Sequence, residues 1–175
     1  LQIYNKRRLF GQVKLTKKRR ALLREMELLV IDEVSMLRAD TLDAIDAILK
    51  SVRRDARPFG GLQVLFIGDL FQLPPVAKES EWSILSAWYR SPFFFDAHVL
   101  RDHPPVLLEL EKIYRQQSAD FINLLNEVRT ARCSPDLLEQ LNAHYDPDFE
   151  PPPGSSYITL TSHNRRADEK KKKEL

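Results

Sequence analysis

A single cysteine, Cys133, stands in 175 residues, which excludes an internal disulfide and a cysteine-based zinc site. Such sparing use suits a reducing compartment. Glycine is nearly as scarce. Of its five positions, Gly11, Gly60, Gly61, Gly68 and Gly154, none precedes a Lys-Ser or Lys-Thr pair. The sequence therefore holds no Gly-x-x-x-x-Gly-Lys-Ser/Thr, the loop whose backbone N–H groups cradle nucleotide phosphates. No apolar run approaches the ~18 residues that a membrane span requires. Leu1 to Arg8 lack the long apolar stretch of a secretory signal. There is no initiating Met either, so the expectation is a chain that begins inside a longer protein. His98 and His103 have no partners at metal-ligand spacing and read as structural.

What is present is an ordinary globular composition, 43% hydrophobic and 30% charged, enough for one domain or a domain and the start of another. The net charge of +2 is unevenly placed. Residues 1–27 carry nine Lys and Arg against Glu25 and Glu27, and the far end carries Arg165, Arg166 and Lys170 to Lys173. Basic ends on a near-neutral middle permit a polyanion partner. Solvated surface charge accounts for any one cluster equally well.

Leu28-Leu29-Val30-Ile31, closed abruptly by Asp32-Glu33, fits a strand buried on both faces of a parallel sheet. Asp40 then stands where it can cap a helix with Leu42, Ala44, Ile45, Ile48 and Leu49 at helical spacing. Lys50, Arg53 and Arg54 complement the end of its dipole. Pro58-Phe59-Gly60-Gly61 is a turn, and Leu62 to Ile67 a second strand stopped by Gly68-Asp69. Strand, helix and strand make a βαβ unit with a right-handed crossover. An aromatic-rich stretch, 82–100, covers one flank of the core. Val106 to Leu110 reads as a third strand, Phe121, Leu124, Leu125 and Val128 as a helix face, and Ser134-Pro135 as the start of another helix reaching His144. Prolines 147, 151, 152 and 153 with Gly154 have the composition of a linker, and Tyr157 to Thr161 reads as a new strand.

Two constellations carry chemistry. A phosphoryl-transfer site needs one strand-end carboxylate to hold Mg²⁺, usually through water, and another to polarise the attacking water. Asp32 and Glu33 supply such a pair, although a strand ending in solvent looks the same. The second is Gly68-Asp69-Leu70-Phe71-Gln72-Leu73-Pro74-Pro75-Val76. Glycine permits a sharp exit, Asp69 can fix the turn, and the prolines stiffen the loop. Gln72 is thereby presented at the crest, where an amide can meet a terminal phosphate or a water. A βαβ unit puts both strand ends on one edge of the sheet, where ligands bind.

Ile31-Asp32-Glu33-Val34-Ser35-Met36 and Gly68 to Val76 resemble helicase motifs II and III of the Pif family, superfamily-one DNA helicases related to RecD that move 5′ to 3′. Leu42 to Asp46 and Pro58 to Val64 resemble the family's stretch between those motifs. Tyr114-Arg115-Gln116 with Phe121 to Asn126 resembles its motif IV. The resemblance covers residues 22–168 as ordered blocks. It implies that Asp32 ligates Mg²⁺ through water, that Glu33 is the base for water attack, and that Gln72 senses the γ-phosphate. It also implies that Arg115 reaches that phosphate with a planar, permanently charged fork. Thr159 to Asn164 resembles the opening strand and loop of the second motor domain, which places Thr161 and Asn164 on the DNA backbone. Phe59, in its Gly-flanked turn, can stack a base or cap the core.

The expected fold is α/β, a partial RecA-like core with a mostly parallel sheet, lacking the first strand and the phosphate loop. Residues 1–27 are a basic lead-in, 28–145 a partial first motor domain, 146–156 a linker and 157–175 the start of a second motor domain. The expected parent is an ATP- and Mg²⁺-dependent helicase translocating on single-stranded DNA and unwinding duplex, with no membrane partner. Its location would be the bacterial nucleoid, or the nucleus or mitochondrion of a eukaryote. The chain alone is expected to be inactive and to self-associate through unmated edges. The alternative is a degenerate, non-catalytic module that binds single-stranded DNA or a protein.

Overall fold

The computed structural model describes residues 15–114, 116, 118–152 and 154–173. Contacts divide the chain into two units, Leu1–Arg132 and Cys133–Leu175. The first opens with helix α1 (Lys17–Glu25), whose first turn is closed by Thr16 Oγ1 accepting from the Arg19 N–H at 3.3 Å. Strand β1 (Leu28–Ile31) follows, then a single 3-10 turn at Val34–Met36 and helix α2 (Ala39–Arg53). A second 3-10 turn, Pro58–Gly61, leads into strand β2 (Gln63–Phe66). The strands pair in parallel, with Leu28 opposite Gln63 and Ile31 opposite Phe66. The predicted βαβ unit is therefore present, and the architecture is α/β.

The apolar runs predict a sheet covered on both faces; among the described residues one face is covered. Leu29, Ile31, Val64 and Phe66 pack against the core. On the other face Leu28, Val30 and Leu65 are between 45% and 48% exposed. A strand apolar at every position is suited to two covers, and only one is seen.

The core is built mainly from α2 and from what packs on it. Leu42 is fully buried, with Leu49, Ala39 and Val52 beside it. Asp40 is in the first turn of α2 rather than at its cap, which is Arg38. The Asp40 carboxylate instead accepts two hydrogen bonds from the Arg38 guanidinium, at 2.8 and 2.7 Å. The 58–61 turn is seated on the same helix. The Phe59 N–H donates to Asp46 Oδ1 at 2.7 Å, and Gly60 lies so close that a Cβ there would stand 2.7 Å from the Leu49 carbonyl. At φ +65° that position suits glycine on conformational grounds too.

Helices α3 (Glu79–Leu85) and α4 (His98–Asp102) bracket the aromatic stretch. From it Tyr89 and Phe94 enter the core as expected, while Trp88 remains 57% exposed. Asp43 on α2 accepts the His98 and Val99 N–H groups, both at 3.0 Å, and so caps α4 from a distance. The His98 ring stacks on Tyr89 at 4.8 Å, in keeping with a structural role.

Val106 to Leu110 is not a strand. Its apolar residues are 83–94% exposed and no partner strand lies beside them among the described residues. Backbone hydrogen-bonding groups stabilise a strand only when a neighbour pairs with them. Helix α5 (Ala119–Arg129), opened by Ser118, completes the first unit.

In the second unit, α6 (Pro135–Asn142) begins at the predicted Ser134-Pro135 signal, with Ser134 Oγ accepting from the Leu137 N–H at 3.3 Å. The proline-rich segment lies within this unit, where Phe149 meets Tyr157 edge-on at 5.2 Å. The expected strand at 157–161 is unpaired, with Ile158 and Leu160 84% and 90% exposed. Helix α7 (Asn164–Lys173) closes the described chain.

Candidate functional site

Hydrogen bonding between the strands continues past their ends. The Ile67 N–H donates to the Ile31 carbonyl at 2.9 Å, and the Val34 N–H donates to the Ile67 carbonyl at 3.0 Å. Between these bonds the chain leaves β1 through Asp32 and Glu33, both exposed. The sharp exit comes from Glu33, which adopts φ 51°, ψ 41°, left-handed for a residue with a Cβ. Asp32 Oδ1 accepts the Glu33 N–H at 2.9 Å, which fixes the first carboxylate and leaves its second oxygen free to face out.

Gly68 leaves β2 against this exit. A Cβ on it would stand 3.0 Å from the Val34 nitrogen and Cγ1, tight enough to force the two strand ends apart. Asp69 then organises the loop as its place in the sequence suggests. Its Oδ1 accepts the Phe71 N–H at 3.0 Å, its carbonyl accepts the Gln72 N–H at 3.1 Å, and its Oδ2 accepts Gln72 Nε2 at 3.2 Å. The Gln72 amide is exposed but held by one N–H, leaving the other N–H to donate and Oε1 to accept. A held amide thus stands on a loop that leaves the sheet at the same edge as the acid pair, of which Asp32 is fixed by its bond to the Glu33 N–H.

Two side chains here escaped the sequence reading. Arg129, the last residue of α5, places Nη2 2.8 Å from Asp69 Oδ1, and its guanidinium lies over the Phe71 ring at 5.1 Å. The one available signal was its place four residues after Leu125, on the flank of an otherwise apolar stripe. Ser35, 1% exposed, buries a hydroxyl with no hydrogen-bond partner among the described residues. No sequence signal distinguishes it from a solvated serine.

The other expected site residues fall differently. Phe59 is 6% exposed and its ring meets Phe66 edge-on at 6.2 Å. Its left-handed backbone and its bond to Asp46 turn it into the core, so it has no free face for a base; the core-capping reading is the one the structure supports. Thr161 and Asn164 lie in the second unit, both exposed. Thr161 Oγ1 accepts the His163 N–H at 3.4 Å in a local turn, and Asn164 begins α7. Arg115 lies outside the described residues.

No group of three or more His, Cys, Asp or Glu among the described residues is arranged to hold a metal ion. The acid pair nevertheless suits Mg²⁺, a hard ion that keeps several waters and takes one or two carboxylates alongside substrate phosphates.

Comparison with known proteins places these features in company. The family described as PIF1-like helicase matches residues 2–137. The mouse protein named ATP-dependent DNA helicase PIF1 is 44% identical over 115 residues, 66% of this chain and 16% of its own length. The RRM3 helicase of Saccharomyces cerevisiae is 33% identical over 127 residues, 72% of this chain and 17% of its length. The chain thus spans about a sixth of these curated relatives. Among solved structures, a Bacteroides Pif1 helicase in complex with ADP-AlF3 and single-stranded DNA superposes with a TM-score of 0.87 at 38% identity. That match takes in 97% of this chain and 42% of the other. Pif1 helicase from Candida albicans superposes at 0.81 with 28% identity, over 98% of this chain and 36% of the other.

Proposed function

Since the chain belongs to the PIF1-like helicase family, we propose that it supplies the metal and water side of the ATP site in a DNA helicase motor. The observation that carries this is the Gln72 amide, tied to Asp69 on a loop that leaves the sheet beside Asp32 and Glu33. Mg²⁺ bound with ATP neutralises charge on the transferred phosphoryl group. Asp32, with one oxygen taken by the Glu33 N–H, would hold that ion with the other. Glu33, aimed elsewhere by its left-handed backbone, takes a proton from the attacking water. Gln72 accepts from the same water through Oε1 and donates its remaining N–H to a phosphate oxygen. Arg115 adds the cation that the resemblance assigns to the γ-phosphate.

Coupling follows from how Gln72 is held. An amide that touches phosphate on one side and a stiff loop on the other transmits the state of the nucleotide to the chain beyond. The track we propose is single-stranded DNA followed 5′ to 3′, with unwinding of the duplex ahead and the work done wherever the cell keeps its DNA. Thr161 and Asn164 are proposed to hold backbone phosphates. The bound ligands named for the Bacteroides structures, ADP-AlF3 and single-stranded DNA, support this pairing of nucleotide and track.

In the full-length protein, Glu33→Gln is expected to abolish DNA-stimulated ATP hydrolysis while nucleotide binding persists. Hydrolysis that survives this change would remove Glu33 from the mechanism. The 175 residues hold no phosphate loop, so on their own they are expected not to hydrolyse ATP above background. That same feature favours the second reading, a non-catalytic module. It would be the correct one if the full-length protein binds single-stranded DNA unchanged by ATP and hydrolyses none.

A further inference from the structure

The nucleotide reading uses Gln72 and leaves unexplained what reaches it from below. The Asp69 carboxylate takes two of the loop's hydrogen bonds, the Phe71 N–H on Oδ1 and Gln72 Nε2 on Oδ2. Those bonds come from two neutral donors of the loop itself, and the carboxylate is 22% exposed. Arg129 adds a charged donor from outside the loop. Its Nη2 bonds Oδ1 at 2.8 Å while its guanidinium carbon lies over the Phe71 ring, the next-but-one residue of the same loop. One guanidinium therefore grips the loop twice, once by an ion pair and once by a cation–π contact. Lysine can reproduce the first contact and not the flat face of the second.

We propose that Arg129 is a positioning residue for Gln72: it fixes Asp69 and Phe71, and through them sets the orientation of the amide that meets the terminal phosphate. The inference rests on the nucleotide reading for its functional consequence and on the hydrogen bonds alone for the positioning itself. It also ties the end of α5 to the loop, so that a displacement of that helix is felt at Gln72.

Two measurements test it separately. In the ¹⁵N-labelled chain, Arg129→Ala is expected to move or broaden the Gln72 side-chain amide signals, and Arg129→Lys to restore part of the shift. Amide signals left in place by Arg129→Ala would overturn the inference. In the full-length protein, Arg129→Ala is expected to lower kcat for ATP between about tenfold and about a hundredfold with KM nearly unchanged, the scale for a misplaced catalytic contact. Gln72→Ala should cost at least as much, and the double variant no more than Gln72→Ala alone. Fully additive losses would mean that Arg129 acts elsewhere and would overturn the inference. If the unaltered protein shows no hydrolysis dependent on Glu33, the nucleotide reading fails instead, and the amide signals still decide the role of Arg129.

Discussion

Glu33 occupies a conformation that costs an ordinary L-residue about 1 kcal/mol, and nothing in its packing demands that it be Glu. Its side chain is exposed and makes no cap hydrogen bond to the turn it opens. Arg54 and Ala131 share this conformation, so the strain by itself assigns no role, and the proposed one as base is tested by removing the side chain. Replacing it by glycine should leave stability unchanged or raise it by up to about 1 kcal/mol, while DNA-stimulated hydrolysis disappears. Chemical denaturation alongside an ATPase assay would check the pair of outcomes, and a marked loss of stability would show that Glu33 is there for the fold. At this scale the sequence was most legible where chemistry is written in short range. Asp32, Glu33, Asp69 and Gln72 stand in two runs of consecutive residues and could be read off them. Arg129 could not, because it is 60 positions from Asp69 and joins it only through folding. Phe59 was equivocal, since a turn aromatic looks the same whether it faces a base or the core.

Elements in this chain are joined by arginines as much as by apolar contact. Arg53, at the end of α2, donates through Nη1 to the carbonyls of Leu23, Arg24 and Met26 at 2.9–3.0 Å, and through Nε to Gly60 at 2.8 Å. It thus closes the C-terminal end of α1 and the turn before β2 with one side chain, while Arg24 returns a bond to the Val52 carbonyl. Helix α1 has no fully buried residue of its own and packs only the partly buried Leu23 on the core, so these bonds add to a thin apolar contact. Arg53→Met should cost about 2–4 kcal/mol, given several charge-assisted bonds, and should expose α1 to protease before the rest; uniform digestion would count against this. Other ion pairs set the acid limit. The Arg57 guanidinium holds the Asp55 carboxyl down to about 2 from an ordinary 3.8, and Arg38 lowers Glu81 in the same direction. A lowered carboxyl contributes stability that is whole above its unfolded value and lost as pH falls through the folded one. Thermal unfolding should therefore hold steady down to about pH 4 and decline from there toward pH 2, with Asp55→Asn flattening the decline. Element types were legible where periodicity was plain, as in α2 and α5, or where a cap signal stood, as at Ser134-Pro135 for α6. The two expected strands that failed, 106–110 and 157–161, have the right composition but no described neighbour, and pairing is not encoded within a segment.

For the whole molecule, the main fact is apolar surface left open among the described residues. Leu28, Val30 and Leu65 on the sheet and Val106, Leu107, Leu108 and Leu110 after α4 are apolar and exposed. Exposed apolar surface of this kind drives association. Light scattering on the 175-residue chain is expected to show concentration-dependent oligomers, and a monomer at every concentration would overturn that expectation. The fold class was legible because a βαβ unit is short and locally signalled. Self-association was expected from the lack of a first strand, but which face of the sheet would stand uncovered among the described residues was not legible, since an apolar strand reads alike on both sides. Two bonds at the strand ends have a bearing on time. The Ile67 and Val34 amides lock the strand ends together directly beneath two solvent-facing acids. Their protons can leave only when the sheet itself opens. In heavy water these two amides should keep their hydrogen far longer than the Phe71 and Gln72 amides a few residues away. The site would then read as a slow floor under a fast rim, and the ratio of the two clocks would measure how rigidly the protein holds the proposed nucleotide site.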